Sequence, residues 1–265
     1  MPPPPDPLSV VWLWPGQALY VGRGLDSTPH RHHAVQVGVT LEGSMRVGLG
    51  SDASSAEPCA AFAVGSDTPH LVMSEGSRVM LAWSERSGIS TANLGLKTWA
   101  AADLSRPLQT LAGVPPATLD CPSAHRLALD LLRHLAAEET TLRRDSRVEA
   151  VAQIAQSQVL SPRPIADLAR QVGLSPSRLR HLFRQQMGLS LQRYLLWQRL
   201  FRALEYASGQ TLTEAAHAAG FADSAHLARV FRETFGFKPS EVFGGNSGNS
   251  GNSSHSVQVN LCHRP

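Results

Sequence analysis

Between Pro164 and Phe243 the chain carries one apolar pattern twice, and a duplication of this kind leaves few folds open. The first copy runs Ile165, Leu168, Ala169, Val172, Gly173, Leu174, Leu179, Leu182, Phe183, Met187, Gly188; the second runs Leu212, Ala215, Ala216, Ala219, Gly220, Phe221, Leu227, Val230, Phe231, Phe235, Gly236. The offset is 47 residues through Gly173/Gly220 and 48 from Leu179/Leu227, so the copies differ by one residue in a turn. Apolar residues at i, i+3, i+4 and i+7 or i+8 mark one face of a helix, and the glycine interrupts them. Each copy therefore predicts helix, tight turn, helix. Thr211 with Glu214, Ser175 before Pro176, and Asp223 supply N-terminal caps where the pattern needs them.

Off its apolar face, the second helix of the first copy carries Ser177, Arg178, Arg180, His181, Arg184 and Gln185; its counterpart carries Ser224, His226, Arg229 and Arg232. These are hydrogen-bond donors, mostly cationic. In a helix-turn-helix the second helix lies in the DNA major groove, where Arg bonds guanine in bidentate fashion. Ser190 to Ser208 reads as one connecting helix of ~28 Å, close to the ~34 Å turn of duplex DNA that separates successive major grooves on one side. Arg193, on that helix, is expected to meet phosphates. A plain bundle with solvated arginines satisfies the periodicity but leaves the agreement of repeat, turns and placed cations unexplained. Charge agrees as well: residues 1–158 hold 12 Lys/Arg against 15 Asp/Glu, whereas residues 159–245 hold 11 against 6. Positive charge gathers where phosphates would be met.

Residues 146–243 resemble the DNA-binding domain of the AraC/XylS family of bacterial transcription regulators. The resemblance rests on Ile165-Ala166-Asp167-Leu168-Ala169, Leu174-Ser175, Leu182-Phe183-Arg184, Gly188, Gly220-Phe221, Phe231-Arg232 and Gly236-Phe237-Lys238-Pro239. It implies base-reading positions at Ser177, Arg180 and His181, then at Ser224, Ala225 and Arg229. Ala225 cannot donate a hydrogen bond, so the second helix is expected to read through Arg229 with His226 beside it. The implied partner is double-stranded DNA, with RNA polymerase as a further partner of an activator.

The N-terminal part reads as β. Val10 to Trp14 is a short apolar run; from His30 to Leu41 the chain alternates, with Val35, Val37, Val39 and Leu41 on one side. Met45, Val47 and Leu49 alternate again, and apolar runs follow at Ala60–Val64, His70–Met73 and Val79–Trp83. Evenly spaced short strands favour a sandwich or small barrel. His30, His32 and Gln36 share a parity and should emerge from one face. The spacing Gly24-x5-His30-x-His32-x3-Gln36-x6-Gly43 resembles the first cupin motif with Gln in the usual Glu position, and Thr68-Pro69-His70 resembles a loose second motif. AraC-type regulators commonly carry a cupin-like sensory domain in this position. Three imidazoles and an amide oxygen, from His30, His32, His70 and Gln36, form a candidate site for Zn²⁺, Ni²⁺, Co²⁺ or Fe²⁺. The other reading of the same residues is a pocket lining for a small organic effector. His33 has the opposite parity.

The fold expected is thus α+β in two domains: a cupin-like β-barrel at 8–97, a helical linker at 98–145, an all-α domain with two helix-turn-helix motifs at 146–243, and a flexible Gly/Asn/Ser-rich tail at 244–265. In the linker, Leu127, Leu131, Leu132 and Leu135 form a stripe that in the family joins subunits into a homodimer; packing onto its own barrel is the alternative. Cys59, Cys121 and Cys262 are odd in number and far apart, which suits a reducing compartment rather than a disulfide framework. With no signal-peptide pattern and no membrane-length apolar run, a cytoplasmic location without a membrane partner is expected. The function expected is a regulator modulated by a metal or organic effector, not an enzyme. The rival class is a metal-dependent cupin enzyme at His30, His32 and His70. Against it, no catalytic carboxylate or nucleophile is placed with the histidines, and an enzyme does not need a duplicated helix-turn-helix.

Overall fold

In a computed structural model of the chain, the structure describes residues 9–14, 16–85, 94–104, 119–136, 145–158, 163–187, 189–207, 210–243 and 257–262. Strands β1 (Ser9–Trp14), β2 (Gln17–Arg23), β3 (Val35–Glu42), β6 (Ala61–Val64), β8 (Arg78–Ser84) and β9 (Leu96–Trp99) join β10 (Val257–Leu261) in one sheet of order β10-β1-β2-β8-β3-β6-β9. Strands β4 (Met45–Leu49), β5 (Glu57–Cys59) and β7 (His70–Met73) form a second sheet, ordered β5-β4-β7. The two are separate ladders: the large sheet is open, and the small one covers only part of its inner face, over Phe62, Val64 and Val79.

Strand alternation decides what each face of the large sheet meets. Val10, Trp12, Leu19, Val37, Val39, Met80 and Ala82 turn outward under helix α1 (Cys121–Ala136), whose Leu127, Leu131, Leu132 and Leu135 are buried against them. Each such leucine contributes ~1.5–3 kcal/mol of burial. Of the two expectations for this stripe, a subunit contact and packing on its own β domain, the described residues carry the second.

The helical half comprises α2 (Ser146–Ser157), α3 (Ile165–Gln171), α4 (Pro176–Met187), α5 (Leu191–Ala207), α6 (Leu212–Ala218), α7 (Ser224–Phe235) and α8 (Pro239–Phe243). Both helix-turn-helix units form as the repeat predicts. Gly173 and Gly220 take φ +66° and +76°, the left-handed region open to glycine. Leu174 N–H donates to Ala169 O at 2.9 Å, and Phe221 N–H to Ala216 O at 2.9 Å, so both turns close the same way. The caps form too: Ser175 Oγ accepts from Arg178 N–H, Thr211 and Glu214 make a reciprocal box, and Asp223 accepts from His226 N–H.

The two units differ in what completes their cores. The first has its own, built from Val148, Val151, Leu168, Leu179, Phe183 and Tyr194. The second packs Trp197, Phe201, Phe231 and Phe235 together with Leu13, Ala18 and Trp83 of the large sheet, on the inner face that the small sheet leaves bare.

Four expectations need correction. The strand expected from His30 begins at Val35, because His30 leaves the ladder to make an isolated bridge with His70. Not all of the C-terminal segment is tail: Val257–Leu261 pairs in parallel with Ser9–Leu13, so these backbone groups find ladder partners in β1. Cys121 and Cys262 are disulfide-bonded across a sequence separation of 141, leaving Cys59 free and buried. Arg193 pairs with Asp67 of the β domain at 3.3 Å rather than standing free for phosphates. Residues 1–8, 138–144, 244–256, Gly188 and 263–265, on which other readings fell, lie outside the described residues.

Candidate nucleic-acid interface and histidine cleft

Helix α4 buries Leu179, Leu182, Phe183 and Met187 and leaves Ser177, Arg178, Arg180, His181, Arg184 and Gln185 exposed. Its companion α7 buries Leu227, Val230, Phe231 and Phe235, leaving Arg229 and Arg232 exposed with Ser224 and His226 half-buried. Each amphipathic helix is thus fixed by its apolar face, and the opposite face is a row of donors without a core role. His226 lies edge-on to Phe221 at 5.3 Å between centroids, so its ring is held by packing. The helix α5 between the units has 17 residues, ~25 Å at ~1.5 Å per residue.

Arg229 and Arg232 also border the β domain. With Lys238, Glu233 and Ala228 they line a surface cleft of about 470 Å³ whose far wall is Thr28 and Pro29. Beneath it, Thr28 N–H and Oγ1–H both donate to Gly236 O, at 2.7 and 2.8 Å. Gly236 caps α7 with φ +81°, and a Cβ there would stand 2.5 Å from Thr28 O and 2.7 Å from His30 Nδ1. Gln198 Nε2 adds hydrogen bonds to both Glu85 carboxylate oxygens at 2.9 Å.

Directly behind this contact, His30, His32 and His70 converge, with potential ligand atoms all within 4.8 Å of one another. Each Nδ1 lies against a backbone carbonyl: His30 on Thr28 O at 2.9 Å, His32 on Ala34 O at 2.8 Å, His70 on Thr68 O at 2.8 Å. A carbonyl only accepts, so in the neutral rings the proton sits on Nδ1 and Nε2 is a bare lone pair. The Nε2 atoms of His32 and His70 lie 2.8 and 3.0 Å from Gln36 Oε1. Two acceptors meet there, which is relieved either by turning the Gln36 amide so that its NH₂ donates to both rings or by a cation between them. Burial drives the His30 pKa down to about 3 and that of His70 to about 2, with the neighbouring imidazoles adding to the effect; burial likewise lowers His32. All three are neutral at pH 7, the form that binds a metal. The residues fit a borderline divalent ion, and Cys59 is not among them.

The histidines separate two spaces. On one side is an open cleft of about 650 Å³ bordered by Arg31, His33, Asp67, Arg193 and Trp197. On the other lies an apolar cavity of about 90 Å³ between the inner face of the large sheet and the second unit, lined by Leu13, Tyr20, Leu81, Trp83, Phe201, Phe231 and Phe235, with His30 and Gln36 in its wall. The indole Nε1–H of Trp83 is buried with no acceptor among the described residues. The sequence reading missed this junction because it assigned Phe231 and Phe235 wholly to the second unit's own core.

Comparison with known proteins agrees with this architecture. A family model described as a helix-turn-helix domain matches residues 168–244. The arabinose operon regulatory protein of Escherichia coli K12 is 38% identical over 120 residues, covering 43% of this chain and 41% of that protein. The transcriptional activator RhaS of Escherichia coli SE11 is 37% identical over 83 residues, covering 31% and 30%. The chain thus spans well under half the length of these curated relatives. ToxT from Vibrio cholerae O395 shares the fold at TM-score 0.57 and 12% identity, over 88% of this chain and 98% of that one. A fatty-acid-bound form of ToxT from strain SCE256 matches at TM-score 0.54 with 12% identity, over 89% and 97%. In its duplicated helix-turn-helix half the chain is similar to regulators of the AraC/XylS type, and its two-part architecture, β-rich then helical, shares the fold of ToxT.

Proposed function

We propose that the chain is a DNA-binding transcription regulator that engages two adjacent major-groove segments and is modulated through its β domain. The observation that carries this reading is the pair of matched helix-turn-helix units, each presenting donors opposite its buried face, with the second unit seated on the β sheet. Ser177, Arg180 and His181 on α4 and Ser224 and Arg229 on α7 read base edges, while Arg178, Arg184 and Arg232 position the helices on phosphates.

The modulating site is the junction between sheet and second unit. One ligand class is a small apolar molecule bearing an acceptor, since the cavity is apolar and Trp83 Nε1–H lacks a partner among the described residues. The fatty acid named with one form of ToxT is of that general character. The other class is a divalent ion held by His30, His32 and His70 with Gln36, which would fix the 27–32 segment. A ligand shifts DNA binding only through unequal affinity for the competent and incompetent states, typically ~1–3 kcal/mol of coupling. Homodimerisation and contact with RNA polymerase are further proposals of the same reading. Selection of bound sequences from a random duplex pool, with and without fatty acids and divalent metals, tests it. A shared motif with two half-sites one helical turn apart is the expected result; recovery of unenriched DNA would refute the reading.

A further inference from the structure

Strand β10, which follows the DNA-binding domain in sequence, lies at the edge of the β domain's large sheet, where it pairs with β1. Its own hold is slight. It is five residues long, it is an edge strand with Leu261 half exposed, and it follows a Gly/Asn/Ser run whose ordering costs entropy. What anchors it is the disulfide from Cys262 to Cys121, the first residue of α1, supported by Cys262 N–H donating to Leu13 O at 2.9 Å. The ring so closed contains all of the DNA-binding domain. The strand touches both cores: Cys262 is buried in the cluster under α1, and Val259 packs against the cluster of Phe231 and Phe235 from α7.

From this placement we infer that Cys121–Cys262 is a thiol–disulfide exchange site, reacting with cellular dithiols, that governs whether β10 stays docked and how firmly the second helix-turn-helix unit is held on the sheet. Cys121 is the half-buried residue of the pair and Cys262 the buried one, so attack falls on Cys121. A dithiol's thiolate bonds to Cys121 Sγ, and the bond to Cys262 breaks with its electron pair leaving on Cys262 Sγ, which takes a proton from water. The dithiol's second thiolate then bonds to its first sulfur, freeing Cys121 as a thiolate that is protonated in turn. The protein gains two thiols and the dithiol becomes a disulfide. Cys59 stays outside this chemistry: it is buried, and burial pushes its thiol up to about 11.

The test uses the full chain, oxidised or treated with dithiothreitol, followed by maleimide labelling and hydrogen exchange. Reduction should add two labels, at Cys121 and Cys262. It should speed exchange of the Val257–Leu261 amides by at least about tenfold and measurably speed exchange in α7. Cys121→Ser and Cys262→Ser should behave as the reduced protein without any reductant, and Cys59→Ser should leave the response intact. If air-oxidised protein labels at both cysteines, or if β10 protection is unchanged on reduction, the inference is overturned. Loss of β10 protection with α7 unaltered overturns the link to the second unit. None of these readouts involves DNA, so the result stands apart from the regulator reading; where the serine variants do not fold, reduction of the native sequence decides alone.

Discussion

Thr28 donates two hydrogen bonds, one from its backbone and one from its side chain, to the carbonyl oxygen of Gly236. That carbonyl belongs to the residue that caps α7, the second helix of the second helix-turn-helix unit, and Thr28 lies two residues before His30 in the β domain. One contact therefore ties the C-terminal end of α7 to the segment that carries the histidines. Thr28→Val should cost about 1 kcal/mol, the worth of one side-chain hydrogen bond. Gly236→Ala should cost ~1–3 kcal/mol, because its left-handed φ and the close approach of Thr28 O and His30 both oppose a methyl group. Urea unfolding of the two variants ranks them; an alanine at 236 as stable as glycine would contradict the packing described.

Reading and positioning should separate by residue. Arg180→Ala and Arg229→Ala should each cost ~1–3 kcal/mol on the selected site and relax preference at one or two base pairs. Arg193→Ala should leave DNA affinity within about 0.5 kcal/mol, since Arg193 pairs with Asp67 across the domain junction and the pair is half exposed. Titration of the three variants on cognate and scrambled duplexes decides. Equal losses on both duplexes for all three would mean that the reading face is assigned wrongly.

The helical half was legible because its signals are local. A 3.6-residue period, a glycine at each turn and capping residues at fixed offsets locate α3, α4, α6 and α7 without reference to anything distant. Strand β2 went unread for the opposite reason: Gln17–Arg23 is covered on both faces, so no polar alternation marks it. Strand β10 is short and sits behind a low-complexity run, and its partner β1 is almost a whole chain away. The Cys121–Cys262 bond is invisible for the same reason, as is the docking of Phe231 and Phe235 on Leu13 and Trp83. Periodicity says that a face is apolar, not what covers it. The convergence of His30, His32, Gln36 and His70 was readable from parity and motif spacing, even though His30 and His32 precede the strand that parity assumed.

Acid should destabilise the metal-free protein through the same histidines. Their folded pKa values lie below the ordinary 6.5, at about 3 for His30 and about 2 for His70, with His32 shifted in the same direction. Between those values and 6.5 the unfolded chain binds more protons, so stability is complete above about pH 6.5 and falls as pH drops below it. His30 and His70 should each remove about 2 kcal/mol by pH 5, with His32 acting in the same direction. Urea midpoints measured from pH 7.5 to 5 should decline steeply, and His70→Asn should flatten the slope by about one proton. A flat profile for the native sequence would show that these imidazoles are not held neutral.

Metal binding, if the cleft performs it, should have a distinctive proton balance. Imidazoles titrating near their ordinary pKa would give up protons to an incoming divalent ion. Because burial already holds all three rings neutral, binding of Zn²⁺ or Ni²⁺ at pH 7 should release almost none. Titration calorimetry in two buffers of unlike ionisation enthalpy should therefore give nearly the same heat, at a stoichiometry of about one ion per chain. His32→Ala and His70→Ala should each abolish binding, since each removes one of three converging nitrogens, whereas His33→Ala, whose Nδ1 lies against Ser66 Oγ at 3.1 Å, should not. Gln36→Glu separates the two ways of relieving the acceptor contact. A carboxylate cannot donate to the bare Nε2 atoms, so it should weaken the metal-free fold and tighten the ion. No heat with any divalent ion, together with a Gln36→Glu variant that gains nothing from added metal, would leave the turned amide as the resting arrangement and the apolar cavity beside Trp83 as the effector site.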